Sequence, residues 1–388
     1  MQLAAIKATP NRKITSNKQL EVQNYDANND YPQKVMQLSS GSGTVRTCLN
    51  IYTRFLLGKG IDTAGALPVG SEKLRNVLRK ATQDYARFGG FALHVGYNAL
   101  GRICNVEHIP FEFCRLGLKD DDGHVKKIAV NRDWLGIDKS PSKSNTTYCN
   151  VFDPDKALEE IADTPGGISN YNGQILYANP DGSDVYPSCI YEAQLTDAAT
   201  QIACSNIRYR NSKNGFMPFG MITIRKTKDY DADVDGSPDG KVDRPNIDRG
   251  LLQNPMLQDI AKLQGDVNTS KMLVFELEPD DQAPEFKSLD GRNYDGAFKE
   301  TESSTKANIG EAFMQPPILR CEQVNNGFAD DVMEQAYKFY NTITESDRQF
   351  IEETFVDVFT HWWRPFSTES LRITPLSYNN ATHQMIAQ

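Results

Sequence analysis

The sequence lacks the basic excess that a broad nucleic-acid-binding face requires. Lys and Arg number 42 against 51 Asp and Glu, so the formal net charge is −9, and any contact with DNA is expected to be local and weak. Long apolar runs are also missing: runs such as Phe55–Leu57 cover a few residues, whereas a membrane-spanning helix needs about 20. Met1–Lys13 has no apolar core of the kind that secretory signals carry. We therefore expect neither a membrane-spanning helix nor a secretory signal.

Paired cysteines are absent as well. The seven cysteines are odd in number, scattered, and contain no C-x-x-C pair: Cys48, Cys104, Cys114, Cys149, Cys189, Cys204 and Cys321. This pattern argues against a disulfide framework and a zinc site, and favours a reducing compartment. We expect most of them to be small hydrophobic core residues.

What the sequence does contain is a foldable composition, with 39% hydrophobic and 24% charged residues over 388 positions. This length suits two or three domains. Helical apolar stripes predict helices in Val45–Leu56, Ser71–Phe88, Tyr191–Arg210, Tyr294–Met314 and the two segments between Val332 and Trp362. Period-two alternation predicts an antiparallel β meander over Phe91–Val130, with strands at Tyr148–Phe152, Gln174–Tyr177, Phe216–Ile224 and Met272–Leu277. The fold class is therefore predicted to be α+β.

Local turn and cap signals refine these boundaries. The polar tract Asn24–Pro32 predicts a loop rather than a packed element. Ser71 is the expected N-cap of its helix, and Gly89 the stop. Thr344 with Asp347 resembles a capping box at the start of the last helix.

No nucleotide-binding P-loop, catalytic serine motif or pair of histidines at helical spacing is present, so no catalytic residue is assigned and no enzyme is expected. Gly41–Thr44 precedes a helix and could hold a phosphate, but an ordinary loop and N-cap is the preferred interpretation. His94 and His108 could face each other across the first hairpin, which we interpret as ordinary sheet packing rather than a metal site.

One acidic segment copies half of a calcium loop. Asp231, Asp233, Asp235 and Gly236 have the spacing of the first carboxylates and the glycine, but the twelfth position is Val242 instead of Glu. A calcium site and a solvated acidic loop both remain open, and we expect the loop, with no metal and no cofactor.

Four short segments, in order and at suitable spacing, resemble the portal proteins of tailed bacteriophages, especially the divergent type of Bacteroidetes phages. They are Asn28–Gln33 before a helix closing on Gly58-Lys59-Gly60, then Asp84–Leu93, Ala198–Met221 and Ile309–Leu319. The last is similar to the family pattern I-x-x-x-F-x-V-P-P-x-L-L-G. It departs from that pattern at Gln315, which replaces the usual Val, and at Arg320, which falls within the closing L-G of the pattern.

The resemblance implies a homo-oligomeric ring, usually of twelve subunits, in the virion at one capsid vertex, assembled in the host bacterial cytoplasm. Its channel would pass double-stranded DNA during packaging and ejection. The implied partners are the ring's own subunits, the major capsid protein, the terminase motor and the neck or adaptor proteins, with no membrane partner.

The resemblance also divides the chain into segments, with every boundary an expectation. These are an N-terminal arm (1–23), the first part of the wing (24–91), a β-rich region including the clip (92–186), a stem helix (187–215), the second part of the wing (216–318) with an acidic insertion (229–249), a channel loop (319–330), and C-terminal helices with a short crown (331–388).

Two sets of candidate DNA contacts follow. In the family, the loop at 319–330 forms the narrowest ring of the channel, where Gln323, Asn325 and Asn326 would touch DNA through neutral hydrogen bonds that allow sliding. At the end of the stem helix, Arg208, Arg210 and Lys213 could meet phosphates transiently, although cations at a helix C-terminus are also favoured by the helix dipole. An ordinary surface connection at 319–330 remains the alternative for the loop.

Two other functions remain open. Another head–tail connector protein of the virion is one, and a metal-dependent hydrolase or nuclease built on Asp229–Asp243 is the other.

Overall fold

The computed structural model describes residues 14–61, 63–182, 185–214, 221–225, 273–277, 294–322 and 330–378. The chain divides into two compact units, one comprising Met1–Gln201 with Ser303–Gln388 and the other Ile202–Glu302. Both helices and sheets are present, so the predicted α+β class is confirmed.

In chain order, the α-helices of the described residues are α1 (Tyr31–Gly41), α2 (Gly43–Leu57), α3 (Leu74–Phe88), α4 (Ala157–Asp163), α5 (Leu195–Asn214), α6 (Tyr294–Ala312), α7 (Asp330–Ile343) and α8 (Glu345–Thr360). The strands are β1 (Ser16–Asn17), β2 (Val22–Gln23), β3 (Phe91–Tyr97), β4 (Ile103–Ile109), β5 (Cys114–Leu116), β6 (Lys127–Val130), β7 (Thr147–Val151), β8 (Gln174–Ala178), β9 (Met221–Arg225) and β10 (Leu273–Leu277).

The main sheet has the order β4-β3-β8-β7-β6-β5. Its neighbours are antiparallel except for β7 and β8, which run parallel. The predicted hairpin of β3 with β4 and the pairing of β5 with β6 are confirmed, but the predicted continuous meander is wrong. Pro110, which has no N–H to donate to a sheet, and a short 3-10 turn at Phe111–Phe113 separate β4 from β5. The strands β4 and β5 therefore lie at opposite edges, with β7 and β8 between them.

The segment Asn24–Pro32, predicted to be a loop, is packed, and that prediction is wrong. Tyr25 and Tyr31 are buried, and Tyr31 begins α1. The Tyr25 ring stacks on Tyr186 with 3.9 Å between ring centroids. The polar residues around these two tyrosines suggest a loop, but the tyrosine rings are apolar. They can be buried because the hydroxyl group at the end of each ring finds a hydrogen-bond partner.

A buried arginine holds this segment against the sheet. Arg115, in β5, is 0% exposed. Its Nη2 donates to the backbone oxygen of Asn29 at 3.0 Å and to Gln33 Oε1 at 3.4 Å, and its Nε donates to Asn29 Oδ1. Asn29 has φ of 58°, a conformation that Asn tolerates better than most residues. The portal-like segment Asn28–Gln33 thus accepts hydrogen bonds from the Arg115 guanidinium.

The predicted helix α2 is confirmed with its caps. Val45 N donates to Ser42 Oγ at 3.3 Å, and Ser42 Oγ donates to Gln201 Oε1 at 2.6 Å. Ser42 is buried, and Gly58 provides the C-cap. The predicted N-cap within Gly41–Thr44 is confirmed at Ser42, but the predicted loop is wrong, because Gly41 belongs to α1 and Gly43 and Thr44 belong to α2.

Helix α3 is confirmed in extent, but its N-cap is Lys73 and not Ser71. The short backbone pairing of Pro68 with Lys73 delays the helix start by two residues. At the other end Gly89 has φ of 79° and a Cβ there would lie 2.1 Å from the backbone oxygen of Ser188. Glycine is therefore required at the helix stop for both its conformation and its size.

The cysteines are free thiols, and most of them are core residues as predicted: Cys48, Cys114, Cys149, Cys189 and Cys204 are buried, Cys104 is half-buried and Cys321 is exposed. Burial raises the pKa of the Cys48 thiol to about 11. A thiol that stays protonated is a poor nucleophile, which agrees with a packing role.

Candidate functional site

The base of the predicted channel loop is the site for which the structure gives most detail. Residues 323–329 lie outside the described residues, and so do the predicted DNA contacts Gln323, Asn325 and Asn326. The chain on both sides is described: α6 and Pro316–Glu322 lead to the loop, and α7 begins directly after it.

Gln315 fixes the approach to the loop. It is buried, and its Nε2 donates to the backbone oxygen of Cys48 at 2.7 Å and to the Tyr340 hydroxyl at 3.0 Å. These bonds connect the end of α6 to α2 and α7. Gln315 stands where the portal pattern has Val, and the structure explains the departure because two buried acceptors require a donor there.

Met314 ends α6 before the proline pair. It has φ of 49°, which stops the helix, and Pro316-Pro317 cannot resume it since proline lacks the N–H and fixes its own φ. The helix predicted over Tyr294–Met314 is confirmed, and it ends two residues earlier, at Ala312. Buried Phe313 stacks on Tyr191 with 5.2 Å between ring centroids, so the helix end is held firmly in the core.

Arg320, the second departure from the portal pattern, fits because Gly310 leaves room for it. A Cβ on Gly310 would lie 0.9 Å from Arg320 Nη1, so the guanidinium packs on the bare face of α6. Its Nη2 lies 3.0 Å from Glu322 Oε2, and Lys306 Nζ lies 3.3 Å from Glu322 Oε1. Glu322, after which the description of the loop breaks off, is therefore held by two cations.

We expect Gly310→Ala to break this arrangement. The new methyl group must displace the Arg320 guanidinium, whose side chain is 8% exposed, and overpacking of this kind costs about 1–3 kcal/mol. Urea denaturation measures the loss, and hydrogen exchange should rise at Pro317–Glu322.

Gly43→Ala is the matched control, because Gly43 also lies in a helix and a Cβ there meets nothing within 4 Å. It should stay within about 0.5 kcal/mol of the original protein or gain from the better helix propensity of Ala. Equal stability of Gly310→Ala and Gly43→Ala would contradict the close fit of Arg320.

Helix α8 is held to α2 and α3 by a polar side chain for which the sequence analysis predicted a different role. Asp347 is not part of a capping box with Thr344, since Thr344 makes no side-chain cap bond. Asp347 instead accepts hydrogen bonds from the Tyr52 hydroxyl at 2.6 Å and the Tyr85 hydroxyl at 3.0 Å. Thr344 Oγ1 donates to the backbone oxygen of Tyr340. Asp347 thus joins α8 to α2 and α3.

Arg348 closes the junction of α7 and α8. It is buried and donates to the backbone oxygens of Phe55 at 3.0 Å and Asn341 at 3.2 Å. A cation on carbonyl oxygens near the C-terminus of α7 is favoured by the helix dipole. The element that follows the loop is therefore firmly braced.

The candidate phosphate contacts at the end of α5 have a competing partner. Arg208 Nη1 lies 3.0 Å from Glu302 Oε2, with both side chains nearly half exposed, and this pairing raises the pKa of Arg208. Arg210 and Lys213 lie in the last turns of α5. Contact of these three residues with DNA stays a prediction.

The histidine pair across the first hairpin is not formed. His94 is paired with Glu107 in the sheet and His108 with Leu93, so the two rings lie on opposite faces. His108 Nε2 lies 2.7 Å from Asp84 Oδ2, and Asp84 also accepts a hydrogen bond from the backbone of Phe111. The predicted face-to-face geometry of the two histidines is therefore wrong.

Metal and membrane features can be judged only for the described part of the chain. There, no group of three or more His, Cys, Asp or Glu side chains comes together as a metal site would. The calcium-loop candidates Asp231, Asp233 and Asp235 lie outside it. Within the same residues, no helix combines the length and hydropathy needed to cross a bilayer.

Comparison with known proteins gives a fold but no family. No family model and no curated protein matches the chain. Among solved structures, a chain from the neck of an empty gene transfer agent particle has a TM-score of 0.50 at 14% identity, covering 92% of this chain and 86% of its own. A chain from the virion of a native gene transfer agent particle has a TM-score of 0.49 at 10% identity, with the same coverage. At this identity the likeness to the neck chain shows a common fold alone.

Proposed function

We propose that this protein is a portal subunit that forms a ring, of about twelve copies, at one vertex of a bacteriophage capsid. The channel of the ring passes double-stranded DNA inward during packaging and outward during ejection. The capsid protein surrounds the ring, the terminase motor docks on it during filling, and neck proteins replace the motor. The role is structural rather than catalytic.

The observation that carries the proposal is the fold shared with a particle-neck chain over 92% of the sequence. The order of the four portal-like segments supports it independently, because they are spread from Asn28 to Leu319. Two of those segments are packed in the core: Asn28–Gln33 accepts hydrogen bonds from the buried Arg115, and Gln315 of Ile309–Leu319 donates to the backbone oxygen of Cys48.

The negative net charge of the chain supports a channel through which DNA slides rather than a protein that binds DNA tightly. With a formal net charge of −9, a ring repels phosphates on average, and DNA that slides must not be held. Cations near the loop are also neutralised locally, as Lys306 and Arg320 both contact Glu322. The neutral residues Gln323, Asn325 and Asn326 remain our candidates for the contacts with DNA in transit.

The division of the chain supports a different place for the clip. The sequence places it within 92–186, but that sheet belongs to the same compact unit as the predicted wing segment at 24–91. The second unit, Ile202–Glu302, is entered through α5, left through α6, and contains the parallel pair β9 and β10. We propose that this unit, most of which the resemblance assigns to the second part of the wing, is the clip instead.

A neck component other than the portal is the second candidate, since the matched solved chain comes from a particle neck. The native mass of the purified protein separates the possibilities. We expect a closed ring of one mass near twelve subunits of 43.5 kDa. A protein that stays monomeric at every concentration and salt would contradict the portal, and nuclease activity that depends on calcium or magnesium would favour the hydrolase.

A further inference from the structure

An apolar groove of about 830 Å³ runs along the base of the predicted channel loop. Its apolar lining comes from α6, from the segment directly after it and from the C-terminal half of α7: Ala307, Met314, Pro316, Pro317, Phe339 and Ile343. We name it the loop-base groove. All of these residues belong to one compact unit. Met314 and Phe339 are each 55% exposed, which is unusual for large apolar side chains.

Helix α7 carries two apolar rows, and the residues that the structure describes cover only one of them. Ala336 and Tyr340 face the core and are buried. Phe339 and Ile343, four residues apart, form the second row along the groove. A helix with apolar residues on two sides is expected to be covered on both.

The charges in the groove identify the chemistry of the occupant. Lys306 and Arg320 are balanced by Glu311 and Glu322, and both cations lie within 3.3 Å of Glu322 oxygens. A site for a DNA backbone requires a positive excess, which this set does not provide. Gln315 Oε1 is buried with no hydrogen-bond donor among the described residues. An apolar, neutral groove of this kind fits a protein surface.

The position of the groove selects the partner. This step rests on the proposed ring, in which the loop at 319–330 faces the channel. Twelve copies around a duplex of about 20 Å leave each copy about 10 Å of arc at a radius of about 20 Å, which is the diameter of one helix with its side chains. With this spacing, an element that lies beside the channel contacts the adjacent copies of the chain.

We infer that the loop-base groove receives the adjacent copy of this chain, with Phe339 as its central buried anchor. Aromatic residues in desolvated pockets carry most of the energy of such interfaces. In a cyclic ring the contact is heterologous, so each subunit offers this groove to one neighbour and a different surface to the other. The groove thereby couples the loop bases of successive subunits around the channel.

Site-specific photo-crosslinking in the full-length protein tests this inference. Benzoylphenylalanine in place of Phe339 should join two copies of the chain on irradiation and give a ladder up to the ring. The same group in place of Leu100, which is 74% exposed on the turn between β3 and β4 and lies outside the groove, should give no ladder. A crosslink within one chain to residues 323–329 would show that the chain's own loop fills the groove, and would overturn the inference.

A charge substitution gives the second measurement. Phe339→Asp should raise the protein concentration needed for ring formation at least about tenfold, whereas Leu100→Asp should not. Circular dichroism should show both variants folded, since Phe339 is largely exposed in the single subunit. When Phe339→Asp subunits are mixed with the original protein, they should stop the growth of partial rings. Each variant subunit can still bind a neighbour through its other interface but not through the groove.

The outcomes separate this inference from the proposed function. Rings that form equally well with Phe339→Asp would exclude the groove as the interface and leave the portal proposal intact. An original protein that never forms oligomers would overturn both.

Discussion

Replacing Arg115 with Met is expected to lower the free energy of unfolding by about 3–5 kcal/mol, because several buried acceptors then lose their donor. The five N–H groups of Arg115 are all used. Beyond the bonds to Asn29 and Gln33, Nη1 donates to the backbone oxygens of Glu112 at 3.1 Å and Cys114 at 2.8 Å. Met has a similar length but donates to none of these oxygens.

The site is built for a guanidinium and not simply for a cation. The partners of Arg115 are neutral oxygens, and its charge is stabilised by the rings of Tyr25 and Trp134, whose centroids lie 5.7 Å and 5.1 Å from Cζ. Burial lowers the pKa of Arg115 below its usual value. An ammonium group has three donors instead of five, so Arg115→Lys should recover part of the stability and not all of it.

Urea denaturation of the three proteins measures these differences. Arg102→Met is the matched control, because Arg102 is exposed next to a turn of the same sheet and should change stability by no more than about 0.5 kcal/mol. If Arg115→Met is as stable as Arg102→Met, then Arg115 does not hold the N-terminal segment.

Replacing Asp347 with Ala is the second change with a large expected effect, a loss of about 2–4 kcal/mol in the free energy of unfolding. Both hydroxyls that Asp347 accepts belong to buried residues, Tyr52 and Tyr85. Each hydroxyl left without an acceptor costs about 1–3 kcal/mol. The loss should also loosen α8 against α2 and α3.

Asp357→Ala is the control for this substitution, since Asp357 is an exposed residue of the same helix. It should be neutral or slightly stabilising, because a carboxylate near a helix C-terminus opposes the dipole. Thermal denaturation of both variants gives the comparison. Equal midpoints would show that Asp347 does not brace the helices behind the loop.

The same tyrosines contribute to the loss of stability at alkaline pH. Burial raises the pKa of Tyr52 and of Tyr85 above the usual value, and the Asp347 carboxylate raises both further. A folded-state pKa above the unfolded one means that the stabilisation is complete below the unfolded value of about 10 and is lost as the pH rises beyond it. Alkaline unfolding should therefore coincide with the tyrosinate absorbance of the unfolded chain.

Helix stripes and glycine stops could be predicted from the sequence, because they depend on residues within a few turns of one another. The helix at Leu74–Phe88 with Gly89 at its end is the clearest case. The hairpin of β3 with β4 and the pairing of β5 with β6 could also be predicted, but the order of the whole sheet could not, since β7 and β8 enter between β4 and β5 from later in the chain. Local alternation shows that strands exist and says nothing about which of them are neighbours.

Buried polar groups were the least predictable part of the candidate site. Arg115 looks like any surface arginine in the sequence, and Asp347 has the spacing of a capping box. Their partners lie far away in sequence, as Asn29 and Tyr52 do. The departures Gln315 and Arg320 from the portal pattern were visible, and they mark the places where the packing around the loop base differs. Gly310 was the signal that could have indicated room for Arg320.

The most direct test of the account is an electron cryomicroscopy reconstruction of the purified full-length protein. We expect a closed ring with an axial hole, with residues 319–330 at its narrowest point and the loop-base groove covered by the adjacent subunit. A closed ring in which 319–330 lies on the outer surface, or particles without any axial hole, would contradict the portal assignment.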